Sequence, residues 1–117
     1  MKSSAISTFS VAVHVSNLTD PPTITCTPSN IVVTETDSLV VFSLQDKKGE
    51  FVFPATNAIT VEDGGSEFPN LWRLDGTHVA LHDLCGSAAE YEYTVTVEEA
   101  STGKLYALDP KITNEPG

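Results

Sequence analysis

Strict alternation of side-chain character between Tyr91 and Glu98 is the feature that most limits what this chain can fold into. The segment 91–98 reads YEYTVTVE, so that Tyr or Val fills every second position and Glu or Thr fills the positions between them. In a β-strand, successive side chains point to opposite faces of the sheet. One face of this segment is therefore predicted to be buried and the other to face water, as in an antiparallel sheet.

Shorter segments of the same kind recur between turn signals at intervals of about 8–12 residues, which is typical of sandwiches and barrels. Single strands are predicted at Phe9–Val15, near Ile24, at Ile31–Thr34 and at Ala58–Val61. Three hairpins are predicted to turn at Asp46–Gly49, at Asp75-Gly76 and at Ala100–Gly103. Helical periodicity is absent, so we predict an all-β fold, an immunoglobulin-like antiparallel β-sandwich of about eight strands.

The length and the composition of the chain predict a single domain. The 117 residues contain no repeat, linker or low-complexity stretch, so residues 1–117 are expected to form a single immunoglobulin-like sandwich. The last two predicted hairpins join Leu71–Leu74 to His78–Leu81 and Tyr91–Val97 to Leu105–Leu108, and the first joins Leu39–Leu44 to Phe51–Phe53.

The charge disfavours two classes of partner. Sixteen acidic residues and six basic ones give a net charge of −10. Such a surface repels phosphate groups and anionic lipid, whereas nucleic-acid binding depends on clustered Lys and Arg. We expect no nucleic-acid partner and no membrane partner. The partners that this charge allows are another protein or, in a homo-oligomer, further copies of the same chain, bound through a sheet face or a sheet edge.

The N-terminal segment and the cysteines indicate a reducing compartment. Apolar residues alternate with polar or small ones between Phe9 and Ser16, which is strand periodicity rather than the unbroken apolar run of a signal peptide. We therefore expect a cytoplasmic protein. Cys26 lies between two prolines and Cys85 precedes a glycine, so neither fits the core disulfide of an immunoglobulin domain, and both are expected to be free thiols.

The residues His78, His82, Asp83 and Cys85 are the candidates if the chain has a site. Their side chains are of metal-ligating types, but four residues of extended strand separate the two histidines by about 13 Å, too far for one zinc ion. A loop site of His82, Asp83 and Cys85 stays open, as does a thiol nucleophile at Cys85 with His82 as its base. The favoured interpretation is that Val79 and Leu81 point inward while His78, Ala80 and His82 face solvent.

Two other features allow a ligand. Trp72 could stack a sugar ring or anchor a partner, although its shared parity with Leu74 favours a core role and leaves Arg73 facing outward. The acidic segment 62–67 contains oxygen ligands suited to Ca²⁺, but it lacks the order of an EF-hand and is interpreted as a solvated loop.

The C-terminal segment carries two proline pairs, Asp109-Pro110 and Glu115-Pro116. This arrangement resembles the signature of the small bacterial DP-EP family, and the preceding YEYTVTV segment is similar to its members. The resemblance implies a β-sandwich of uncharacterised function and transfers no catalytic or binding residue. Because proline lacks the amide needed in a strand ladder, the segment is predicted to run along a sheet edge or to leave the sheet, and a docking tail is the alternative.

Taken together, these features favour a non-catalytic interaction or structural module that needs no cofactor, and not an enzyme. One alternative is a sandwich domain that binds a sugar or a divalent cation through its loops. A second alternative is an enzyme that uses Cys85 and His82.

Overall fold

The computed structural model describes residues 7–116 and is all-β. It contains eleven strands and one short 3₁₀ turn at Gly65–Glu67. The strands are β1 (Thr8–Ser16), β2 (Thr23–Thr27), β3 (Asn30–Val33), β4 (Ser38–Gln45), β5 (Phe51–Val52), β6 (Ile59–Val61), β7 (Leu71–Asp75), β8 (His78–Asp83), β9 (Ala89–Glu99), β10 (Leu105–Leu108) and β11 (Lys111–Asn114). All four predicted single strands and all six strand segments assigned to hairpins are present. Strand β11 is additional, so the total exceeds the expected number of about eight.

The first sheet has the strand order β2-β1-β4-β8-β7. Strand β4 lies at its centre, parallel to β1 and antiparallel to β8. The core face of β4 carries Val40, Phe42 and Leu44, which are all buried. On β8 the inward residues Val79 and Leu81 lie opposite Phe42 and Val40, as the alternation predicted.

The second sheet is built around β9, which pairs with β10 and β11 on one side and with β5 and β6 on the other. Strand β3 completes this sheet, parallel to β11. The inward row of β9, Tyr93, Val95 and Val97, is buried, so the predicted parity of this strand is confirmed. The predicted hairpin of β9 and β10 is also confirmed.

The buried residues of both sheets belong to one hydrophobic cluster. Phe42 of the first sheet meets Tyr93 of the second edge to face, with ring centroids 5.5 Å apart. Such aromatic pairs add stability beyond the area they bury. The two mixed sheets therefore share their core.

The predicted hairpin around Asp46–Gly49 is wrong. Strand β4 belongs to the first sheet, whereas Phe51 pairs with Glu99 of β9 in the second sheet. The polar turn carries the chain from one sheet to the other. Its composition predicts a reversal of direction, but composition does not say which strand receives the chain afterwards.

The turn between β7 and β8 differs from the prediction by one residue. Asp75 pairs with His78, so the loop is Gly76-Thr77, and Gly76 does not have the positive φ that a type I′ turn requires. The carboxylate of Asp75 accepts hydrogen bonds from the Thr77 amide at 2.8 Å and from its hydroxyl at 3.1 Å, which stabilises this loop. An irregularity between Arg73 and Asp75 then shifts the register again.

This shift changes the face on which Trp72 lies. A turn at Asp75-Gly76 would pair Trp72 with the inward Val79, but in the structure Trp72 pairs with Ala80 on the outer face. A slip of one residue moves every side chain of a strand to the other face. The predicted core roles of Trp72 and Leu74 are therefore wrong.

The prediction that the C-terminus forms an edge or leaves the sheet is also wrong. Strand β11 has neighbours on both sides, β9 and β3. The pairs Leu108–Val95 and Lys111–Glu92 keep one register across Asp109-Pro110, so β10 and β11 form one strand line with a short break.

Candidate binding site

An exposed tryptophan lies on the outer face of the first sheet, on the edge strand β7. The Trp72 side chain is 45% exposed and that of Leu74, two residues further on, is 60% exposed. Ala80, which lies opposite Trp72, is buried although it was predicted to face solvent. Large exposed apolar side chains beside each other are uncommon on a free surface and typical of contact sites.

The Trp72 indole stacks on the imidazole of His82. The two ring centroids are 5.9 Å apart and the planes are inclined by 27°. One face of the indole is thus covered by a neighbouring ring of the same sheet. The orientation of Trp72 is consequently restrained before any ligand arrives.

His82 is itself held through both ring nitrogens. Its Nε2 donates to the Asp37 carboxylate at 2.5 Å, and its Nδ1 lies 3.1 Å from the Asn70 side-chain amide, which donates to it. The main chain adds a further restraint, because the His82 amide donates to the Asn70 carbonyl at 2.8 Å. A histidine with two polar partners keeps one ring orientation.

Asp37 is positioned by an unusual backbone. It has a φ of 55°, in the left-handed region that Asp and Asn tolerate better than most residues. Its amide donates to the Leu84 carbonyl at 2.9 Å, which fixes the start of β4 against the end of β8. Neither Asp37 nor Asn70 was identified from the sequence. The only local signal is the turn-forming composition around Asp37.

His78 does not belong to this group. Its Nδ1 lies 3.0 Å from an Asp75 carboxylate oxygen and 2.9 Å from the Thr77 hydroxyl. The Thr77 amide and His78 lower the pKa of Asp75 to about 2. The two histidines of β8 thus have separate carboxylate partners. Among residues 7–116, no group of three or more His, Cys, Asp or Glu side chains is arranged to hold a metal ion.

Asp83 lies on the opposite face of β8 and is completely buried. One carboxylate oxygen accepts from the Cys85 amide at 2.9 Å and from the Asn114 side-chain amide at 2.8 Å. The second oxygen of Asp83 and the side-chain oxygen of Asn114 have no partner in the described part of the chain. Burial raises the pKa of Asp83, and the two donated hydrogen bonds oppose that rise.

Cys85, in the loop that follows β8, is buried too. Its Sγ donates to the Val33 carbonyl of β3 at 3.4 Å. Burial raises the pKa of this thiol, and the nearby Asp83 carboxylate raises it further. Since His82 points to the outer face, the structure does not bring Cys85 and His82 together. Cys26 is likewise a free, buried thiol.

The residues of the proline pairs flank β11 inside the second sheet. Asp109 accepts from the Thr94 hydroxyl at 2.7 Å, and the Pro110 carbonyl accepts from the Tyr93 amide at 3.0 Å. Glu115 donates its amide to the Val33 carbonyl at 2.8 Å and precedes the half-buried Pro116. These contacts connect strands, and none of them involves Trp72 or Leu74.

Comparisons with known proteins add no identification. The chain matches no protein-family model and no curated protein. The resemblance of its C-terminal segment to the DP-EP family stays a prediction. Within residues 7–116, no helix has the length and apolar character that a membrane span needs.

Proposed function

We propose that this protein is a non-catalytic interaction module that binds a protein partner through the surface formed by Trp72, Leu74 and Asp37. The observation that carries the proposal is the exposed Trp72 ring, held by stacking on a doubly bonded His82. Rigid exposed tryptophans are the residues most often found at the energetic centres of protein interfaces, because little entropy is lost when they are covered.

Charge indicates the kind of partner. The Trp72 surface is bordered by the carboxylates of Asp37 and Asp75, on a chain with a net charge of −10. Complementary charge speeds association and selects the partner. A partner segment that combines apolar and basic side chains therefore fits this surface best.

A sugar is the second candidate ligand. Asp37 and Asn70 lie beside the ring system of Trp72 and His82, so polar groups border an aromatic surface. Carbohydrate sites combine such a stacking ring with a few hydrogen-bonding groups. A divalent cation is less well supported, since residues 7–116 contain no suitable cluster.

We further propose that the fold is an immunoglobulin-like sandwich and that the chain is related to the DP-EP family. Strands β4, β8 and β7 adjoin in one sheet, and β5 or β6, β9 and β10 adjoin in the other. This is the order of strands B, E, D and of C, F, G in immunoglobulin domains. Strand β1, inserted parallel to β4, departs from that pattern.

The chain has a single Trp, so its fluorescence reports on this surface alone. We would titrate the protein with a tryptophan-free peptide of alternating Lys and Leu and, separately, with a panel of soluble oligosaccharides. We expect the peptide to shift the Trp72 emission, and we expect Asp37→Asn to weaken binding of the peptide. Binding should also raise the melting temperature of the wild type but not of Trp72→Ala.

The outcomes separate the two ligands. A response to an oligosaccharide and not to the peptide would replace the protein partner by a sugar. If neither ligand changes the emission or the melting temperature at millimolar concentration, the Trp72 surface is not a binding site and the proposal fails. Glu92→Gln, on the exposed face of β9 in the other sheet, removes one negative charge as Asp37→Asn does and serves as the control for unspecific charge effects.

A further inference from the structure

A groove of about 700 Å³ lies at the opposite edge of the first sheet from Trp72. Its floor is the outer face of three adjacent strands at the end of β1, and the residues that form it are His14, Ser16, Thr23, Thr25 and Gln45. Its volume is in the range of sites for small molecules, roughly 300–1,000 Å³.

The two walls of the groove are joined to each other. Asn17, on the wall that follows β1, donates its side-chain amide to both carboxylate oxygens of Glu50, at 3.0 Å each. The other wall is the turn after β4. Its shape is held by the Asp46 carboxylate, which accepts from the amides of Lys48 at 3.2 Å, Glu50 at 2.6 Å and Phe51 at 2.9 Å.

One wall of the groove carries two ammonium groups. Lys47 and Lys48 are the only adjacent basic pair in the sequence, and both line the groove. The Asp46 carboxylate is occupied by backbone amides and that of Glu50 by Asn17. None of the ion pairs within residues 7–116 includes either lysine. The two ammonium groups can therefore contact one anionic group together, while the carboxylates of Asp46 and Glu50 keep their charge and are held by their own donors.

The rim of the groove is apolar. Leu18 is 89% exposed, the most exposed large apolar side chain of the described residues. An isolated exposed leucine is ordinary, but here it borders a groove whose other rim carries two lysines. A ligand that contacts both rims has an apolar body and a negative group.

We propose that this groove binds a small organic anion, with its carboxylate, sulfonate or phosphate group at Lys47 and Lys48 and its apolar body against Leu18. The site is independent of the Trp72 surface, because it lies on the other edge of the sheet. A positive or a negative result for the groove therefore does not affect the proposed function of the Trp72 surface.

The probe is 8-anilinonaphthalene-1-sulfonate, which combines an aromatic body with one sulfonate. We expect one saturable site on the native protein, with enhanced dye emission. The double variant Lys47→Gln/Lys48→Gln should weaken binding by about tenfold or more, and added salt should weaken binding to the wild type. Leu18→Ser should also weaken it. Near-ultraviolet circular dichroism identifies partly unfolded protein, which binds this dye unspecifically.

The matched control is Lys104→Gln/Lys111→Gln, which changes the net charge equally. Lys104 lies in the turn between β9 and β10, and Lys111 lies in β11, where it pairs with Glu90 at 3.4 Å. This control should bind the dye like the wild type. Equal weakening in both double variants would mean that net charge alone governs binding, and the proposal would be overturned. Absence of dye binding by the folded wild type, or unchanged binding after Lys47→Gln/Lys48→Gln, would overturn it as well.

Discussion

At the scale of single residues, the buried pair of Asp83 and Asn114 is the most informative feature. Their side chains share one hydrogen bond of 2.8 Å, yet each retains an oxygen without a donor. A buried acceptor without a donor costs about 1–3 kcal/mol. Protonation of the free oxygen of Asp83 would convert the buried carboxylate into a neutral carboxylic acid with an O–H donor. This agrees with the raised pKa that burial gives this group.

The Asp83→Asn variant tests this description. The pKa of Asp83 is raised in the folded state, so at pH values between the unfolded-state and folded-state pKa the folded protein binds a proton that the unfolded chain has released. The free energy of unfolding of the wild type should therefore fall as the pH rises from about 4 through the folded-state pKa. Asparagine keeps an acceptor and adds a permanent donor. We expect the variant to be more stable than the wild type at neutral pH, by about 1–3 kcal/mol, and this advantage to shrink towards pH 4.

Urea denaturation across this pH range measures the effect. Asp75→Asn is the control of opposite sign, because the pKa of Asp75 is lowered to about 2. Its ionised form stabilises the protein at neutral pH, and this contribution is lost as the pH falls through the folded-state pKa. A wild type and an Asp83→Asn variant with parallel pH profiles would contradict the role assigned to Asp83.

The two thiols give a second prediction at this scale. Burial raises the pKa of Cys26 to about 11 and also raises that of Cys85. Because the thiolate is the reactive form, we expect both to react with 5,5′-dithiobis(2-nitrobenzoate) only slowly in the native protein. Two thiols should react at once in denaturant. Rapid modification of Cys85 at neutral pH would restore the hypothesis of a thiol enzyme.

At the scale of elements, the last strand connects more of the molecule than its position in the chain suggests. Strand β11 pairs antiparallel with β9 and parallel with β3, and Ile112 at its centre is fully buried. Asn114 joins its end to Asp83 of the first sheet. A segment that pairs on both sides and contributes to the core is an internal strand. Its deletion would therefore destabilise the fold, and a loss of partner binding in the deletion variant would not identify a docking tail.

Ile112→Ala therefore measures how firmly β11 is docked. Removing a buried isoleucine side chain typically costs about 2–5 kcal/mol, and we expect a loss of this size in denaturant unfolding. Lys111→Ala, in the same strand but exposed, should change stability by no more than about 0.5 kcal/mol. If Ile112→Ala has an effect as small as Lys111→Ala, the strand is loosely held, and the C-terminal docking tail becomes the better interpretation.

At the scale of the whole molecule, charge is the dominant property. With a net charge of −10 on 117 residues, the acidic side chains repel one another in the folded state and destabilise it. The ion pairs among residues 7–116 offset little of this, because exposed pairs contribute at most about 1 kcal/mol each. Salt should therefore stabilise the protein by screening its own charge.

The melting temperature is expected to rise between low and physiological ionic strength, by a few degrees. Differential scanning calorimetry in NaCl measures the rise, and CaCl₂ at matched ionic strength is the control. Equal shifts in both salts indicate screening alone. A larger shift in CaCl₂ would indicate a specific cation site and favour the cation-binding alternative, while a fall in NaCl would contradict the argument.

Local sequence patterns predicted every strand except β11, and they predicted which faces of β8 and β9 are buried. Period-two alternation is a property of the local backbone, so the inward positions of Val79, Leu81 and Val95 could be predicted from neighbours in the chain. The same applies to the β9–β10 hairpin, whose partners are joined by a short turn.

Long-range packing, by contrast, determines which strands adjoin and which polar groups meet. Asp37 and His82 are 45 residues apart, and Asp83 and Asn114 are 31 apart, so no local pattern connects them. The position of Trp72 depended on a one-residue difference in the β7–β8 turn, which moved the side chain from the core to the surface. Local alternation specifies the two faces of a strand, whereas register and packing against the rest of the chain decide which face is buried.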